Sequence, residues 1–287
     1  MYWIFALIIM AGQVNAAVND IFPADYTALP AGTFVATGYF YDKSASGPYV
    51  AGKKAASWNG KVQNAVFRLS RYEEVADMPV AITAVMSYGH QALSGSGIPG
   101  TYNRSVSGAG DLGLHLTLWP ISNPEQRHYL AINASWIAPT GQYRGSNFLN
   151  IGENRQRMAL SAALIRGIGS QWTAEAIGEM AWYGTDDDYR PGNVNREQAH
   201  TEALTAYLRY NHGNAIESYV GYQWNRGGKS SLDDIEQHDP ARSDRVMLGV
   251  IYPVAPRHIF NLRLASDRQM ENGFAMREIA LRWLTVF

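Results

Sequence analysis

Hydrophobic and polar residues alternate with a period of two along most of this chain. In Asp111–Pro120, four leucines occupy alternate positions, with Gly, His, Thr and Trp at the positions between them. An extended strand gives this pattern, because successive side chains of a strand point to opposite faces. The same alternation predicts strands in Arg127–Ala138 and Gln171–Tyr183, and the latter carries Trp at both ends of its apolar face. Such pairs are typical of the aromatic girdles at the two surfaces of a membrane barrel.

Nine further segments carry the alternation in weaker form and bring the predicted total to twelve strands. An even number is the rule for bacterial single-chain barrels. The segment Gln198–His212 is the most ambiguous, because its Ala, Glu and Leu residues also favour helices. The nine are Ala31–Tyr41, Lys61–Tyr72, Met78–Tyr88, Arg157–Gly167, Gln198–His212, Ala215–Trp224, Ser243–Tyr252, His258–Ser266 and Gly273–Phe287.

The connectors between these segments alternate in length. Outer-membrane barrels have short periplasmic turns and longer external loops, whereas a soluble sandwich has no reason to sort its loops in this way. We therefore predict an all-β fold, a transmembrane antiparallel up-and-down β-barrel of about twelve strands with periplasmic N- and C-termini. The long connectors are 42–60, 89–107, 139–156, 184–197 and 225–242, the short ones are 73–77, 121–126, 168–170, 213–214 and 253–257, and the modest 267–272 breaks the trend.

The two ends of the chain carry export and insertion signals. Residues 1–16 combine a short apolar core with small residues before Ala16, as in a signal peptide, although the usual Lys or Arg before the core is missing. We predict a signal peptide at 1–16, a periplasmic lead at 17–30 and the barrel at 31–287. At the C-terminus Ile279, Leu281, Trp283 and Phe287 share one face. This ending resembles the signal that the barrel-assembly machinery reads in outer-membrane proteins.

The amino-acid composition limits the classes of partner that we expect for this protein. Only 17% of the 287 residues are charged, and there are 17 Tyr and 8 Trp, which suits a surface that meets lipid headgroups. The net charge of −1 gives no reason to expect nucleic acid as a partner, and the absence of Cys excludes disulfides and thiolate metal sites. We expect the outer membrane of a Gram-negative bacterium, lipid and a small-molecule solute as partners, and no cofactor or metal.

Two apparent ligand motifs carry little weight. The G-x-G-x-x-G matches at Gly95–Gly100 and Gly108–Gly113 do not join a strand to a helix, as a dinucleotide site requires. The acidic run Asp186–Asp188 lies in a predicted external loop and offers oxygen ligands to a divalent cation. A solvated loop is the simpler interpretation of that run.

Polar residues on the inner face of the predicted strands are the candidate lumen residues. Charges of this kind are strongly unfavourable against lipid at mid-depth, so they should face inward. Acids and bases roughly balance, which favours a buttressing network over an ion filter or substrate contacts, and a turn at Gly213 would bring Arg209 opposite Glu217. The candidates are His115, Asn133, Glu175, Glu179, Arg209, Glu217, Arg245, Asn261, Arg263, Glu278 and Arg282.

Two stretches resemble a known family. A strand opening on G-x-G-D-L in Gly108–Trp119, then P-T-G-x-Y in Ala138–Tyr143 and N-x-G-x-N in Asn150–Asn154, is similar to the outer-membrane transporter family named for the meta-pathway of phenol degradation. The resemblance implies an outer-membrane barrel, often associated with the degradation of aromatic compounds. It supplies no catalytic residues, and the motif residues themselves look like turn formers and strand ends.

Three functions fit these features. The first is a porin-like channel for passive uptake of small, aromatic or hydrophobic, molecules. The second is a structural or adhesive barrel with a filled lumen. The third is a lipid-modifying hydrolase, which would need a His beside a nucleophile near the bilayer rim. His115 points inward with no evident Ser partner on the neighbouring predicted strand, so we expect no enzyme activity.

Overall fold

The computed structural model describes residues 20–189, 194–213 and 215–287. The predicted signal peptide and residues 17–19 lie outside the described residues. No helix in the described ranges is long and apolar enough to cross a membrane. The strands are β1 (Phe34–Val50), β2 (Lys53–Val75), β3 (Met78–Gly95), β4 (Ser105–Ala109), β5 (Leu112–Asn123), β6 (His128–Ala138), β7 (Arg157–Ile168), β8 (Trp172–Tyr183), β9 (Asp186–Tyr189), β10 (Val194–Gln198), β11 (Thr201–Asn211), β12 (Glu217–Gly227), β13 (Ser230–Leu232), β14 (Ile235–Glu236), β15 (Ala241–Ala255), β16 (His258–Met270) and β17 (Gly273–Val286).

Twelve of these strands form one closed antiparallel barrel. Each pairs with its neighbour along the chain, and β1 closes the ring by pairing with β17, Val35 opposite Val286. The short β4 pairs with the far end of β3 and continues the line of β5. The predicted barrel of twelve strands is confirmed. It includes the ambiguous segment at 198–212, where β11 pairs on both sides and tertiary context overrides helix propensity.

Several strands extend beyond their predicted bounds. The long connector expected at 42–60 is wrong, because β1 and β2 remain paired as far as Val50 and Lys53. Likewise β3 continues to Gly95 and β16 to Met270, so the expected loops 89–107 and 267–272 are shorter than predicted. The connectors 184–197 and 225–242 carry β9, β10, β13 and β14, which form a separate four-stranded sheet.

The alternation of the sequence becomes an outer and an inner face. Along β8, Trp172 and Trp182 are exposed at the two ends of the strand, while Thr173 and Glu175 between them are buried. Exposed apolar side chains recur around the whole barrel, as a lipid-facing surface requires. They include Leu116, Ile132, Leu160, Leu164, Leu204, Val220, Leu248, Leu264 and Ile279.

The two ends of the barrel differ. The chain begins β1 and finishes β17 at the same end, where Phe287 donates its backbone N–H to the carbonyl of Phe34. Short turns, such as 76–77 and 256–257, lie at this end, which we call the terminal end. The opposite end, the loop end, carries the irregular connector 139–156 and the small second sheet.

Candidate functional site

Residues 20–29 lie inside the barrel, and we call them the lumen segment. Ile21, Phe22 and Tyr26 are buried, and the first and last of these pack in a cluster with side chains of the wall. Two backbone hydrogen bonds turn the segment tightly, from Asp25 to Phe22 and from Thr27 to Ala24. The sequence predicts a periplasmic lead at residues 17–30. From Asp20 onward the chain packs inside the barrel, because its apolar side chains have buried partners and its carboxylates contact arginines of the wall.

Ion pairs join the lumen segment to the wall. The carboxylate of Asp20 contacts the guanidinium of Arg263 at 2.8 Å. Asp25 contacts Arg282 at 2.7 Å and Arg68 at 3.4 Å. Asp25 and Arg282 are almost fully buried. Removing one partner of such a pair strongly destabilises the fold, because the other charge stays buried without compensation.

The backbone of the lumen segment is also bonded to the wall. The carbonyl of Ile21 accepts the Tyr207 hydroxyl at 2.7 Å, and that of Tyr26 accepts the Trp119 indole N–H at 2.8 Å. The N–H of Ala24 donates to the Glu175 carboxylate at 3.1 Å. Buried backbone groups need such partners. The side chains of the wall therefore satisfy the hydrogen bonds of the buried backbone in the lumen segment.

A charged network lies in the wall behind these contacts. The carboxylate of Glu278 contacts Lys43 at 3.0 Å, Arg263 at 2.7 Å and Arg245 at 3.7 Å. Arg245 in turn contacts Asp267 at 2.8 Å. The cations and carboxylates of this network pair with one another inside the barrel, which favours a structural role for them.

The remaining sequence-predicted lumen residues are also placed inside the barrel. Arg209 contacts Glu175 and Glu217, each at 2.6 Å, so the contact expected from the turn at Gly213 is present. Apart from the partly exposed Glu217, every candidate is buried. Further hydrogen bonds run from the hydroxyl of Thr117 to Asn133 at 3.0 Å, from that of Ser161 to the Glu179 carboxylate at 3.2 Å, and from that of Tyr219 to Asn261 at 2.9 Å.

His115 has a Ser partner, contrary to the sequence-based expectation. Its Nδ1 lies 2.8 Å from the Ser135 hydroxyl on β6. The Asn133 amide donates to that same hydroxyl at 2.9 Å and so does not orient the imidazole. A hydrolytic pair needs a third group that orients the base. The pair is buried in the lumen rather than placed at the bilayer rim.

Two further His–Ser contacts lie on exposed parts of the barrel. They join His90 to Ser107 at 2.7 Å and His212 to Ser218 at 2.8 Å. Among the described residues, neither imidazole has a carboxylate at ion-pair distance. These contacts lack the third member of a triad in this geometry.

The inner-face candidates omit six charged residues of the lumen. Lys43 and Asp267 lie in segments predicted to be loops, while Asp20 and Asp25 lie in the predicted lead. Arg68 lies within a predicted strand, and Arg127, which lines a cavity described below, is the first residue of another. For Lys43 the signal was present, because Tyr39, Tyr41 and Lys43 continue one alternation and all three are buried.

An apolar cap lies at the loop end. Ile98, Phe148 and Leu149 come from irregular connectors and pack against barrel side chains that include Trp58 and Phe274. Tyr102 stacks on Phe148 with ring centroids 4.1 Å apart. The Asn103 side chain accepts the backbone N–H groups of Phe148 and Leu149 at 2.7 and 2.9 Å.

The family-like motifs meet beside this cap. The Asp111 carboxylate accepts the backbone N–H of Gly141 at 2.8 Å and that of Glu153 at 3.0 Å. A Cβ at Gly152 would lie 2.7 Å from the backbone of Gly141, so two parts of the connector 139–156 touch backbone to backbone. The motifs therefore hold connectors together, as turn formers are expected to do.

Arginines gather next to these motifs. Glu153 contacts Arg155 and Arg157, each at 3.1 Å, and Arg155 donates to Gln198 at 2.6 Å. Burial acts to raise the pKa of Glu153, but Arg157, Arg155 and Arg196 outweigh it and hold that pKa below its usual value. Burial and the neighbouring Arg196 lower the pKa of Arg155.

Part of the acidic run Asp186–Asp188 is hydrogen-bonded to neighbouring side chains. Asp186 is buried and accepts the Tyr143 hydroxyl and the Asn154 amide, both at 2.8 Å. In the described ranges no group of three or more His, Asp or Glu residues is arranged to hold a metal ion.

A cavity of about 370 Å³ lies at the terminal end, between the lumen segment and the wall. Leu29 of the lumen segment and Val35, Ile259, Leu284 and Val286 of the wall supply apolar surface. The charged groups that line it are Asp25, Arg68, Arg127, Arg209, Glu217 and Arg282.

Comparison with known structures gives a full-length match. The COG4313 outer membrane channel from Pseudomonas putida F1 superimposes with a TM-score of 0.88 at 25% identity, covering 93% of this chain and 100% of that chain. The beta domain of the Bordetella autotransporter BrkA matches with a TM-score of 0.56 at 11% identity, over 90% of this chain and 100% of that chain. The CymD monoaromatic hydrocarbon channel matches with a TM-score of 0.50 at 10% identity, over 90% and 89%. The latter two show the fold alone.

Comparison by sequence identifies the family. No curated protein matches the chain. A family model described as the MetA-pathway of phenol degradation matches residues 42–283, which is most of the chain. Together with the barrel architecture, this assigns the protein to the outer membrane. The chain belongs to the family of the MetA-pathway of phenol degradation.

Proposed function

We propose that this barrel is an outer-membrane channel for the passive uptake of small aromatic or hydrophobic molecules. The observation that carries the proposal is the match to an outer-membrane channel over the whole of that chain, with a TM-score of 0.88. The family, described by phenol degradation, supports aromatic solutes.

The contents of the lumen narrow the path and disfavour the passage of hydrated ions. The apolar cap at the loop end and the lumen segment both occupy the path of a solute through the barrel. The lumen residues pair with one another or with the lumen segment, which makes them a buttress rather than an ion filter. A solute therefore passes only when the lumen segment shifts. We assign the lumen residues this supporting role.

The filled lumen also supports the second candidate, a structural or adhesive barrel. Such a barrel would keep the lumen segment in place and pass nothing. We prefer the channel because the cavity beside the lumen segment is open space that a purely structural filling would not need. We also propose that the protein is not an enzyme, since among the described residues no carboxylate lies at ion-pair distance from the imidazole of His90, His115 or His212.

Orientation and insertion form part of the proposal. We place the terminal end in the periplasm, because outer-membrane barrels have their short turns there. Ile279, Leu281 and Trp283 on the outer face of β17, and Phe287 directly after it, are exposed where the barrel-assembly machinery would read them. We assign residues 1–16 as the cleaved export signal.

Uptake by intact cells tests the proposal. A Gram-negative host that expresses this barrel is given radiolabelled phenol or toluene at low concentration. We expect faster initial uptake than in cells with an empty vector, and faster still with Asp25→Asn, which weakens the contacts of the lumen segment. Asp77→Asn is the matched control, because Asp77 is exposed in a turn at the same end. Equal uptake with and without the barrel would contradict the channel and favour the structural barrel.

A further inference from the structure

The cavity at the terminal end has the size and the walls of a binding site. Its volume of about 370 Å³ falls in the range of small-molecule pockets. Val35, Ile251, Ile259, Leu284 and Val286 form an apolar wall along four neighbouring strands, β1, β15, β16 and β17. Apolar walls with a few convergent polar groups are typical of sites for single-ring ligands.

The charged groups around the cavity do not cancel. Arg68 and Arg282 share the carboxylate of Asp25, and Arg209 lies between Glu217 and Glu175 behind it. Arg127 lines the cavity without a carboxylate at ion-pair distance in the described part of the chain. Four guanidinium groups therefore face three carboxylates, and one positive charge is left over.

Arg127 is held in place by neutral partners. It donates to the Thr173 hydroxyl at 3.0 Å and to the carbonyl of Gly169. Both partners belong to the neighbouring hairpin of β7 and β8, so the guanidinium is anchored at the rim of the cavity. A guanidinium has five N–H donors, and its remaining donors suit a carboxylate, which it binds through charge-assisted hydrogen bonds.

We propose that this cavity binds the anion of a small aromatic carboxylic acid. The ring packs on the apolar wall near Ile259 and Leu284, and the carboxylate meets Arg127. This inference rests on the proposed channel function and adds to it a substrate class and a site on the terminal side of the lumen segment.

Calorimetric titration of the refolded barrel in detergent micelles tests the proposal. The probes are benzoate and its neutral counterpart benzyl alcohol at pH 7, with heats of partitioning into empty micelles subtracted. We expect wild type to bind benzoate at least about tenfold more tightly than benzyl alcohol, because a charged hydrogen-bonded pair is worth about that factor. Arg127→Gln should remove this preference and leave benzyl alcohol unchanged, and Arg127→Lys should restore part of it.

Two further variants locate the site. Arg257→Gln makes the same charge change in an exposed turn at the same end and should leave both affinities unchanged. Ile259→Trp fills the cavity and should abolish binding of both probes while the barrel keeps its heat-resistant electrophoretic mobility. Equal affinities for the two probes in wild type would overturn the proposal. So would equal losses in the Arg127 and Arg257 variants, or full binding by Ile259→Trp.

The uptake experiment separates this inference from the function on which it rests. Phenol or toluene uptake without a benzoate preference would leave the channel intact and reject the anion site. Benzoate binding without any uptake would contradict the channel and retain the site as that of a binding barrel.

Discussion

The apolar cap and the lumen segment both occupy the barrel, yet they are held by different forces. The cap depends on buried rings, on the Asn103 side chain and on glycine backbones in contact. The lumen segment buries Ile21 and Tyr26, but it depends in addition on a short set of ion pairs and hydrogen bonds to the wall. Apolar packing weakens in steps as individual side chains are shortened. In contrast, a single substitution that leaves a buried charge without its partner is strongly destabilising. The lumen segment is therefore the part that one substitution can release.

The largest effect is expected from Glu278→Gln. This carboxylate contacts Lys43, Arg263 and Arg245, and its loss leaves buried cations with too few partners. We expect a loss of roughly 3–5 kcal/mol in the free energy of unfolding. Urea titration of the refolded barrel, followed by tryptophan fluorescence, measures it.

The control for that variant is Glu73→Gln. Glu73 pairs with Arg71 on the surface, where both side chains are about half exposed. An exposed pair contributes roughly 0–1 kcal/mol. A similar loss in both variants would mean that the network in the wall is not the main support of the barrel.

The next effect is expected from Asp25→Asn. The amide keeps the shape of the carboxylate but leaves Arg282 and Arg68 without their charge partner. We expect the lumen segment to loosen while the barrel stays folded. Proteolysis of the refolded barrel should cut within residues 20–29 several-fold faster, with the connector 139–156 cut at the wild-type rate. Faster cutting of both regions would show that the two are not independent.

The cap is tested by Gly152→Ala. The added Cβ would lie 2.7 Å from the backbone of Gly141, so these two parts of the connector 139–156 must move apart. We expect roughly 1–3 kcal/mol of local destabilisation, seen as faster proteolysis of 139–156. Gly100→Ala is the control, since a Cβ there meets nothing within 4 Å. An unchanged cutting rate in Gly152→Ala would contradict the backbone contact.

The smallest effect is a pH dependence of the cap. The pKa of Glu153 is lowered in the folded protein, so its stabilising contribution is complete above the usual value of 4.5 and is lost as pH falls through the lowered one. We expect hydrogen exchange in 139–156 to lose protection below about pH 4. Glu153→Gln should reduce that pH dependence. An unchanged pH profile of hydrogen exchange in this variant would show that Glu153 is not its cause.

The barrel could be predicted from the sequence because a strand with one face on lipid and one on the lumen must alternate apolar and polar residues. The prediction failed where the outward-facing residues of a strand are polar. Near the β1–β2 turn these residues are Ser44, Ser46 and Lys61, so the apolar half of the pattern disappears although pairing continues. The loop lengths were overestimated for this reason.

The lumen segment could not be predicted from local pattern. Asp25 and Arg282 are 257 residues apart, and nothing local marks them as partners. The inner-face residues themselves followed from alternation, because a charge in a lipid-crossing strand has only one acceptable side. Arg127 begins the predicted strand Arg127–Ala138, but in the structure it lies in the turn before β6, where alternation gives no information on side-chain direction.

Single-channel conductance in a planar bilayer tests the central claim most directly. Wild type, Asp25→Asn and Asp77→Asn are compared at equal protein and salt. If the lumen segment occupies a transport path, wild type should give small or rare steps, Asp25→Asn should give larger or more frequent ones, and Asp77→Asn should match wild type. Identical silence from all three correctly folded proteins would contradict the claim and leave a barrel that is filled for structural reasons.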